Sequence, residues 1–97
     1  MVEIEALEDR IKLIFPQQCT IYQSDKIRDS LIDMLRDLSN EVEADLSNVD
    51  ELDSSVVQIF ISLKKTLSED GRNIHFINPS VNAQRVFEVY NIDTYLK

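Results

Sequence analysis

Glycine, cysteine, proline and tryptophan are scarce in this 97-residue sequence: it has one Gly, one Cys, two Pro and no Trp. The single glycine, Gly71, excludes the glycine-rich phosphate loops of nucleotide-binding proteins, which need several glycines at fixed spacing. The lone Cys19 excludes an internal disulfide and any zinc site built on several cysteines. No window approaches the roughly 18 apolar residues of a transmembrane helix, and residues 1–5 have neither the basic nor the apolar region of a signal peptide.

Basic residues are also few, with 10 Lys and Arg against 18 Asp and Glu and a net charge of −8. An acidic chain repels the phosphates of nucleic acids and anionic membranes, so we expect no nucleic-acid partner and no direct membrane insertion. The length predicts a single domain over residues 1–97. Composition therefore indicates a soluble, cytoplasmic interaction domain that uses no cofactor.

The hydrophobic pattern predicts the element order β-β-α-β-α-β-α. Strands are predicted at 2–6 and 10–15, joined as an antiparallel hairpin, and at 42–47 and 73–78. Helices are predicted after the caps Ser24 and Ser80 and from residue 54, with Gly71 and Asn91 ending the second and third. This alternation predicts an α/β sheet whose later strands are parallel, because crossover connections are right-handed.

Apolar side chains recur at helical spacing in each predicted helix, and these stripes should face the sheet. The stripes are Ile27, Leu31, Met34, Leu35 and Leu38 in the first helix, Val56, Phe60, Leu63 and Leu67 in the second, and Ala83, Val86, Phe87 and Tyr90 in the third. In the first strand, Val2, Ile4 and Ala6 should share a buried face. Val49 and Leu52 should anchor the loop before residue 54, and Ile92 and Leu96 should cover the sheet edge.

The run Asp53-Ser54-Ser55 is the most informative feature, since it lies at the start of the most apolar helix. One interpretation is a helix cap, in which Asp53 or Ser54 accepts hydrogen bonds from free backbone N–H groups. The other is a modification site, because a phosphate would add about −1.5 to −2 charges near the positive end of the helix dipole. Spacing alone does not decide between the two.

Other ionisable residues give no catalytic or metal site. Four carboxylates lie in or after the third strand: Asp45, Asp50, Glu51 and Asp53. They lack the Asp-x-Asp-x-Asp-Gly pattern of a calcium loop, so surface acidity is the better interpretation. His75 has no evident nucleophile as a partner and should be packed or hydrogen-bonded within its strand. Cys19, in a loop, either packs or is exposed and oxidisable.

The segment 43–55 closely resembles the signature of the STAS family, the domain shared by sulphate transporters and anti-sigma factor antagonists. The shared pattern is an Asp-Leu-Ser strand end, an apolar pair, and Asp-Ser-Ser before a helix. It continues through Asn78-Pro79-Ser80-Val81, Val86-Phe87 and Asn91-Ile92. The resemblance implies a small α/β fold with a four-stranded mixed sheet, an N-terminal β-hairpin, and three or four covering helices.

The resemblance to anti-sigma factor antagonists also implies a function, in which the first Ser after the Asp is phosphorylated. The domain would then bind a protein kinase that is also the anti-sigma factor, with Ser54 as the residue that the kinase phosphorylates. Phosphorylation would release the domain from the kinase, and a serine phosphatase would restore the binding form. Such a domain is a switch and not an enzyme, and we expect a monomer or weak dimer. The residues expected to flank the phosphosite and contact the partner are Asp53, Ser55, Val56, Thr20, Tyr22, Asp50 and Glu51.

Two departures from the family pattern are Val56, where Gly is usual, and Asn91, which replaces a late Gly. The run Thr20-Ile21-Tyr22 looks more like STAS proteins of chemotaxis or two-component signalling. Related domains also serve as subunits of lipid-transport ATP-binding cassette complexes, so an unphosphorylated subunit is the alternative function. The carboxylates that lead to Ser54 predict a basic groove on the partner.

Overall fold

One or more strands precede each helix in the computed structural model, which describes residues 1–35 and 41–92, without the side chains of 33–35. The elements are β1 (Glu3–Ala6), β2 (Arg10–Ile14), β3 (Gln18–Cys19), α1 (Ile21–Leu35), β4 (Glu41–Asp45), β5 (Glu51–Leu52), α2 (Ser54–Glu69), β6 (Ile74–Ile77) and α3 (Val81–Val89). Within these ranges, no helix is both long enough and apolar enough to cross a membrane.

Four strands form the main sheet in the order β1-β2-β4-β6. The hairpin of β1 and β2 is antiparallel, whereas β2, β4 and β6 are parallel. Leu13 lies opposite Ala44, which lies opposite Phe76, so side chains of one parity line the same face across the strands. This mixed sheet and its three helices confirm the predicted fold class.

One face of the sheet is packed and the other is open. Its inward side chains join those of the helices in a single core, in which Phe60 of α2 contacts Phe15, Phe76 and Phe87. The predicted α2 stripe is buried throughout, as are the loop anchors Val49 and Leu52. The prediction that α2 faces the sheet is therefore confirmed.

The prediction of a packed or hydrogen-bonded His75 is wrong. This residue is exposed on the open face, and its Nε2 lies 3.9 Å from a Glu41 oxygen, too far for a hydrogen bond. The first strand is also less buried than its alternation predicted: Val2 is buried, but Ile4 is 49% exposed and Ala6 is exposed. Because β1 is an edge strand, its inward side chains reach beyond the covered part of the sheet.

The ends of α2 and α3 follow the predicted capping residues. Gly71 has φ +72°, and the N–H of Arg72 donates to the Leu67 carbonyl at 2.8 Å, which closes a Schellman motif. Asn91 ends α3 in the same way, with φ +57°. Ser80 caps α3, accepting from the Ala83 N–H at 3.1 Å.

The predicted α3 stripe and the residues after it are only partly buried as predicted. Ala83 and Phe87 are buried and Val86 is half-buried, but Tyr90, the C-cap residue of α3, is 48% exposed. Ile92 packs against the core as predicted, and Leu96 lies outside the described residues.

Helix α1 begins earlier than predicted. It starts at Ile21, so Ser24 is not its cap: this buried side chain lies within the first turn and its Oγ donates to the Ile21 carbonyl at 3.0 Å. Asp25, which the pattern placed in the first turn, is instead the fifth residue of α1 and follows that turn. Ile27 and Leu31 are buried as predicted, while Leu38 and the side chains of Met34 and Leu35 are outside the described part of the chain.

Candidate functional site: two helix starts and a groove

A second, two-stranded sheet brings the starts of α1 and α2 together. Gln18 and Cys19 pair in parallel with Glu51 and Leu52, and the Asp53 N–H donates to the Cys19 carbonyl at 3.2 Å. The segments just before the two helices therefore run side by side. These two-residue strands are too short for any periodicity, so the sequence did not predict them.

Asp53 caps α2 and also binds the first residue of α1. One carboxylate oxygen, Oδ1, accepts from the Ser55 N–H at 3.1 Å and from the Ser55 hydroxyl. The other, Oδ2, accepts from the Ile21 N–H at 2.8 Å. Partial burial acts to raise the pKa of this carboxyl, but the hydrogen bonds from Ser55, Ile21 and Val56 outweigh it and hold the pKa below its ordinary value.

The two serines of the run have different environments. Ser55 is half-buried and its hydroxyl is engaged by Asp53. Ser54 is exposed as the first residue of α2, and its hydroxyl makes no hydrogen bond with any residue that the structure describes. Of the two hydroxyls, only that of Ser54 is both accessible and free of a partner within the described ranges.

Val56, the residue found where the family usually has Gly, is fully buried. Its side chain joins the core cluster, so this position contributes to packing and not to the exposed surface around Ser54. Val57 is buried beside it, and its N–H donates to the Asp53 carbonyl at 3.1 Å in the first turn of α2.

The start of α1 contains a capping box that the sequence analysis missed. Gln23 Oε1 accepts from the Thr20 N–H at 3.0 Å and from the Thr20 hydroxyl at 2.7 Å. The spacing Thr-x-x-Gln is the local signature of this motif, so it could have been found from the sequence. The box leaves Tyr22, 88% exposed, on the outer side of the first turn.

An open groove of about 720 Å³ adjoins these helix starts. Its lining includes five of the predicted partner-contacting residues: Thr20, Tyr22, Asp50, Glu51 and Asp53. The groove is not lined by Ser54, Ser55 or Val56. The structure thus gathers most of the predicted surface residues on one groove, with Ser54 adjoining Asp53 in the chain.

The far wall of the groove comes from α3. Asn82, Arg85 and Val86 line it, and the Asn82 side-chain amide donates to the Asp50 carbonyl at 2.8 Å. None of these was predicted as a site residue, because nothing in the local sequence shows that α3 packs beside β5. Arg85 brings a positive charge to a groove whose other charged lining residues are Asp50, Glu51 and Asp53.

Asp45 and Cys19, two other candidates, are structural. Asp45 is 8% exposed, contrary to the predicted surface acidity, and accepts from the Ser47 N–H at 2.9 Å. Burial acts to raise its pKa, but the Ser47 hydrogen bonds and the Lys12 charge hold it below its ordinary value.

Cys19 is fully buried, and burial raises the pKa of its thiol to about 12. Among the described residues, no group of three or more His, Cys, Asp or Glu could hold a metal.

Residues 18–97 match the family model described as "Mlab, STAS domain". The chain belongs to the STAS domain family. The match covers the whole groove and both helix starts of this STAS domain. Among curated proteins, none matches the chain.

Solved structures with the same fold agree with this membership. A Thermotoga maritima protein described as an anti-sigma factor antagonist superposes with a TM-score of 0.87, at 18% identity over 99% of this chain and 83% of that one. An anti-sigma-factor antagonist (STAS) domain protein from Planctomyces limnophilus gives 0.86, at 18% identity over 97% and 85%. Unphosphorylated SpoIIAA, an anti-sigma factor antagonist, gives 0.83, at 13% identity over 100% and 86%. At these identities the likeness establishes the fold of the STAS domain.

Proposed function

We propose that this STAS domain is a phosphorylation-switched binding protein, an anti-sigma factor antagonist with Ser54 as its phosphoacceptor. Its unmodified form binds a protein kinase that is also the anti-sigma factor, phosphorylation of Ser54 ends the complex, and a serine phosphatase restores it. The domain is a substrate of these cytoplasmic enzymes and has no catalytic role of its own.

The exposed hydroxyl of Ser54, which has no hydrogen-bond partner among residues 1–35 and 41–92, carries this proposal. A kinase must reach the hydroxyl oxygen, and Ser54 offers it at a helix start while Asp53 already engages Ser55. A phosphate here would lie near the positive end of the α2 dipole, so the fold tolerates it. On the docking surface, the same phosphate is a bulky, strongly hydrated group, and the steric and desolvation cost of burying it against a closely packed partner opposes binding.

Labelling by the cognate ATP-dependent kinase tests the phosphosite. We expect mass spectrometry to find one phosphate, on Ser54, and none in Ser54→Ala. Ser55→Ala is the matched control and should still be labelled, because its hydroxyl is not the acceptor. Labelling of Ser54→Ala at the wild-type rate would contradict the assignment.

Affinity for the same kinase tests the switch. Ser54→Ala should bind like the unmodified protein, whereas phosphorylated protein and Ser54→Asp should bind at least about tenfold more weakly, which is about 1.4 kcal/mol. Complete labelling with unchanged affinity would refute the switch.

A second function is a constitutive subunit of a larger assembly, such as a chemotaxis or two-component complex or a lipid-transport ATP-binding cassette complex. The family model that matches residues 18–97 is described as "Mlab, STAS domain" and does not name anti-sigma factor antagonists, so family membership alone agrees with this function as well. This function predicts wild-type behaviour in cells for both Ser54→Ala and Ser54→Asp, an outcome that the switch excludes.

A further inference from the structure

The Asp53 carboxylate serves two helices at once, and few other capping residues could do so. Its Oδ1 accepts from Ser55 in α2, and its Oδ2 accepts from the Ile21 N–H in α1, 32 residues away in sequence. Ser and Thr have one side-chain oxygen, whereas here two different oxygens bind the two helices. Asn also has only one side-chain oxygen. Its NH₂ group would face the N–H of either Ser55 or Ile21, and two donors cannot form a hydrogen bond. Both links therefore require a carboxylate at this position.

The hydrogen bond from the Ile21 N–H to Asp53 holds an exposed apolar turn. Ile21 is 64% exposed and Tyr22 is 88% exposed, although both are large apolar side chains in the first turn of α1. Tyr is among the residues that contribute most to protein interfaces, because it offers a large contact area with little loss of side-chain freedom. Asp53 thus fixes an interface-type side chain close to the phosphosite turn.

We propose that Asp53 is a positioning residue that holds the Ile21–Tyr22 turn beside Ser54, so that the two helix starts form one docking surface for the protein partner. This rests on the proposed function, in which the partner binds this face. Tyr22 lines the groove together with Asp50 and Glu51, so the surface suits a partner segment that carries Lys or Arg next to an apolar side chain.

Amide hydrogen exchange measured by NMR on the free protein tests the link directly. Asp53→Ser retains a good cap for α2 but is too short to reach Ile21. We expect the exchange protection of the Ile21 amide to fall by about fivefold to tenfold, the effect of one lost hydrogen bond, while that of Ser55 persists. Asp53→Asn should lower the exchange protection of either the Ile21 or the Ser55 amide and leave that of the other unchanged, because Asn has one acceptor oxygen.

Ser80→Ala is the matched control, because it removes the cap of α3 and destabilises the fold without contacting α1. In this variant, the exchange protection of the Ile21 amide should stay unchanged relative to that of the other amides in the first turn of α1. Unchanged Ile21 protection in Asp53→Ser, or an equal loss in Ser80→Ala, would overturn the proposal. The wild-type signals of Ile21 and Ser55 should also follow one common acid titration, since one carboxyl group binds both.

A double-mutant cycle with the kinase that labels Ser54 tests whether the held turn contacts the partner. Asp53→Ser and Tyr22→Ala should each weaken binding by about tenfold, and the double variant should be little weaker than either, because Asp53 acts through Tyr22. Additive losses would overturn the positioning role. If phosphorylation leaves affinity unchanged while the cycle is non-additive, the proposed switch fails and the docking surface stands.

Discussion

At the centre of the core, the ring of Phe60 has its centroid 5.1 Å from those of Phe15 and Phe76 and 6.5 Å from that of Phe87. Phe60 is fully buried, so Phe60→Ala removes these contacts and leaves a cavity between the helices and the sheet. We expect the free energy of unfolding to fall by about 3–5 kcal/mol, as measured by urea denaturation at pH 7. A loss of this size approaches the whole stability of a small domain.

Gln58→Ala provides the matched control for Phe60, because Gln58 is exposed on the same helix. Its effect should stay within about 0.5 kcal/mol. If Phe60→Ala cost no more than Gln58→Ala, the aromatic cluster would not be the centre of the core.

At the scale of the elements, the C-terminal end of α2 depends on the backbone of the only glycine in the chain. Gly71 has φ +72°, and beyond Gly71 and its two neighbours in the chain no heavy atom of the described residues lies within 4 Å of the position that a Cβ would take. Gly71→Ala therefore brings backbone strain without a clash, and we expect it to cost about 1 kcal/mol in urea denaturation. Gly71→Asn should cost less, because Asn tolerates this region, as Asn91 does at the end of α3. A larger cost for Asn than for Ala would contradict this explanation.

Which elements the sequence could predict depends on how local their signals are. The cap of α3 and the ends of both helices were predicted because Ser80, Gly71 and Asn91 act on their own helices. For the same reason the cap of α2 was narrowed to Asp53 or Ser54, and the structure shows that it is Asp53. The start of α1 was also locally encoded, in the capping box that ends at Gln23, but Ser24 resembled a cap more obviously. The β3–β5 pair was not predictable, because two-residue strands form only when the rest of the fold brings distant segments together.

At the scale of the whole molecule, the groove shows why only part of the site could be predicted. Thr20, Tyr22 and the acidic loop were identified through the family resemblance, and the short sheet places them together. The second hydrogen bond of Asp53, to Ile21, and the wall that Arg85 contributes arise only from tertiary packing. No periodicity or capping rule connects residues more than 30 positions apart.

Acid stability is also a property of the whole molecule, because the chain has 18 carboxylate side chains and a net charge of −8. In Asp45 and Asp53, hydrogen bonds outweigh the effect of burial and hold each pKa below its ordinary value. A carboxyl whose pKa is lower in the folded state stabilises the fold above its unfolded pKa, about 3.9, and loses that contribution as the pH falls through its folded pKa. Protonation of the other carboxylates relieves self-repulsion and acts in the opposite direction.

The contribution of Asp53 can be separated from the general charge effect by comparing wild type with Asp53→Asn at pH 7 and pH 2.5 in urea denaturation. We expect the wild type to be more stable by about 1 kcal/mol at pH 7, the usual value of a cap, and the difference to shrink at pH 2.5. Glu88→Gln, on the exposed surface of α3, should differ from wild type by a similar small amount at both pH values. An Asp53→Asn difference that grew in acid would mean that the carboxylate is less favourable than the neutral acid at the junction of α1 and α2.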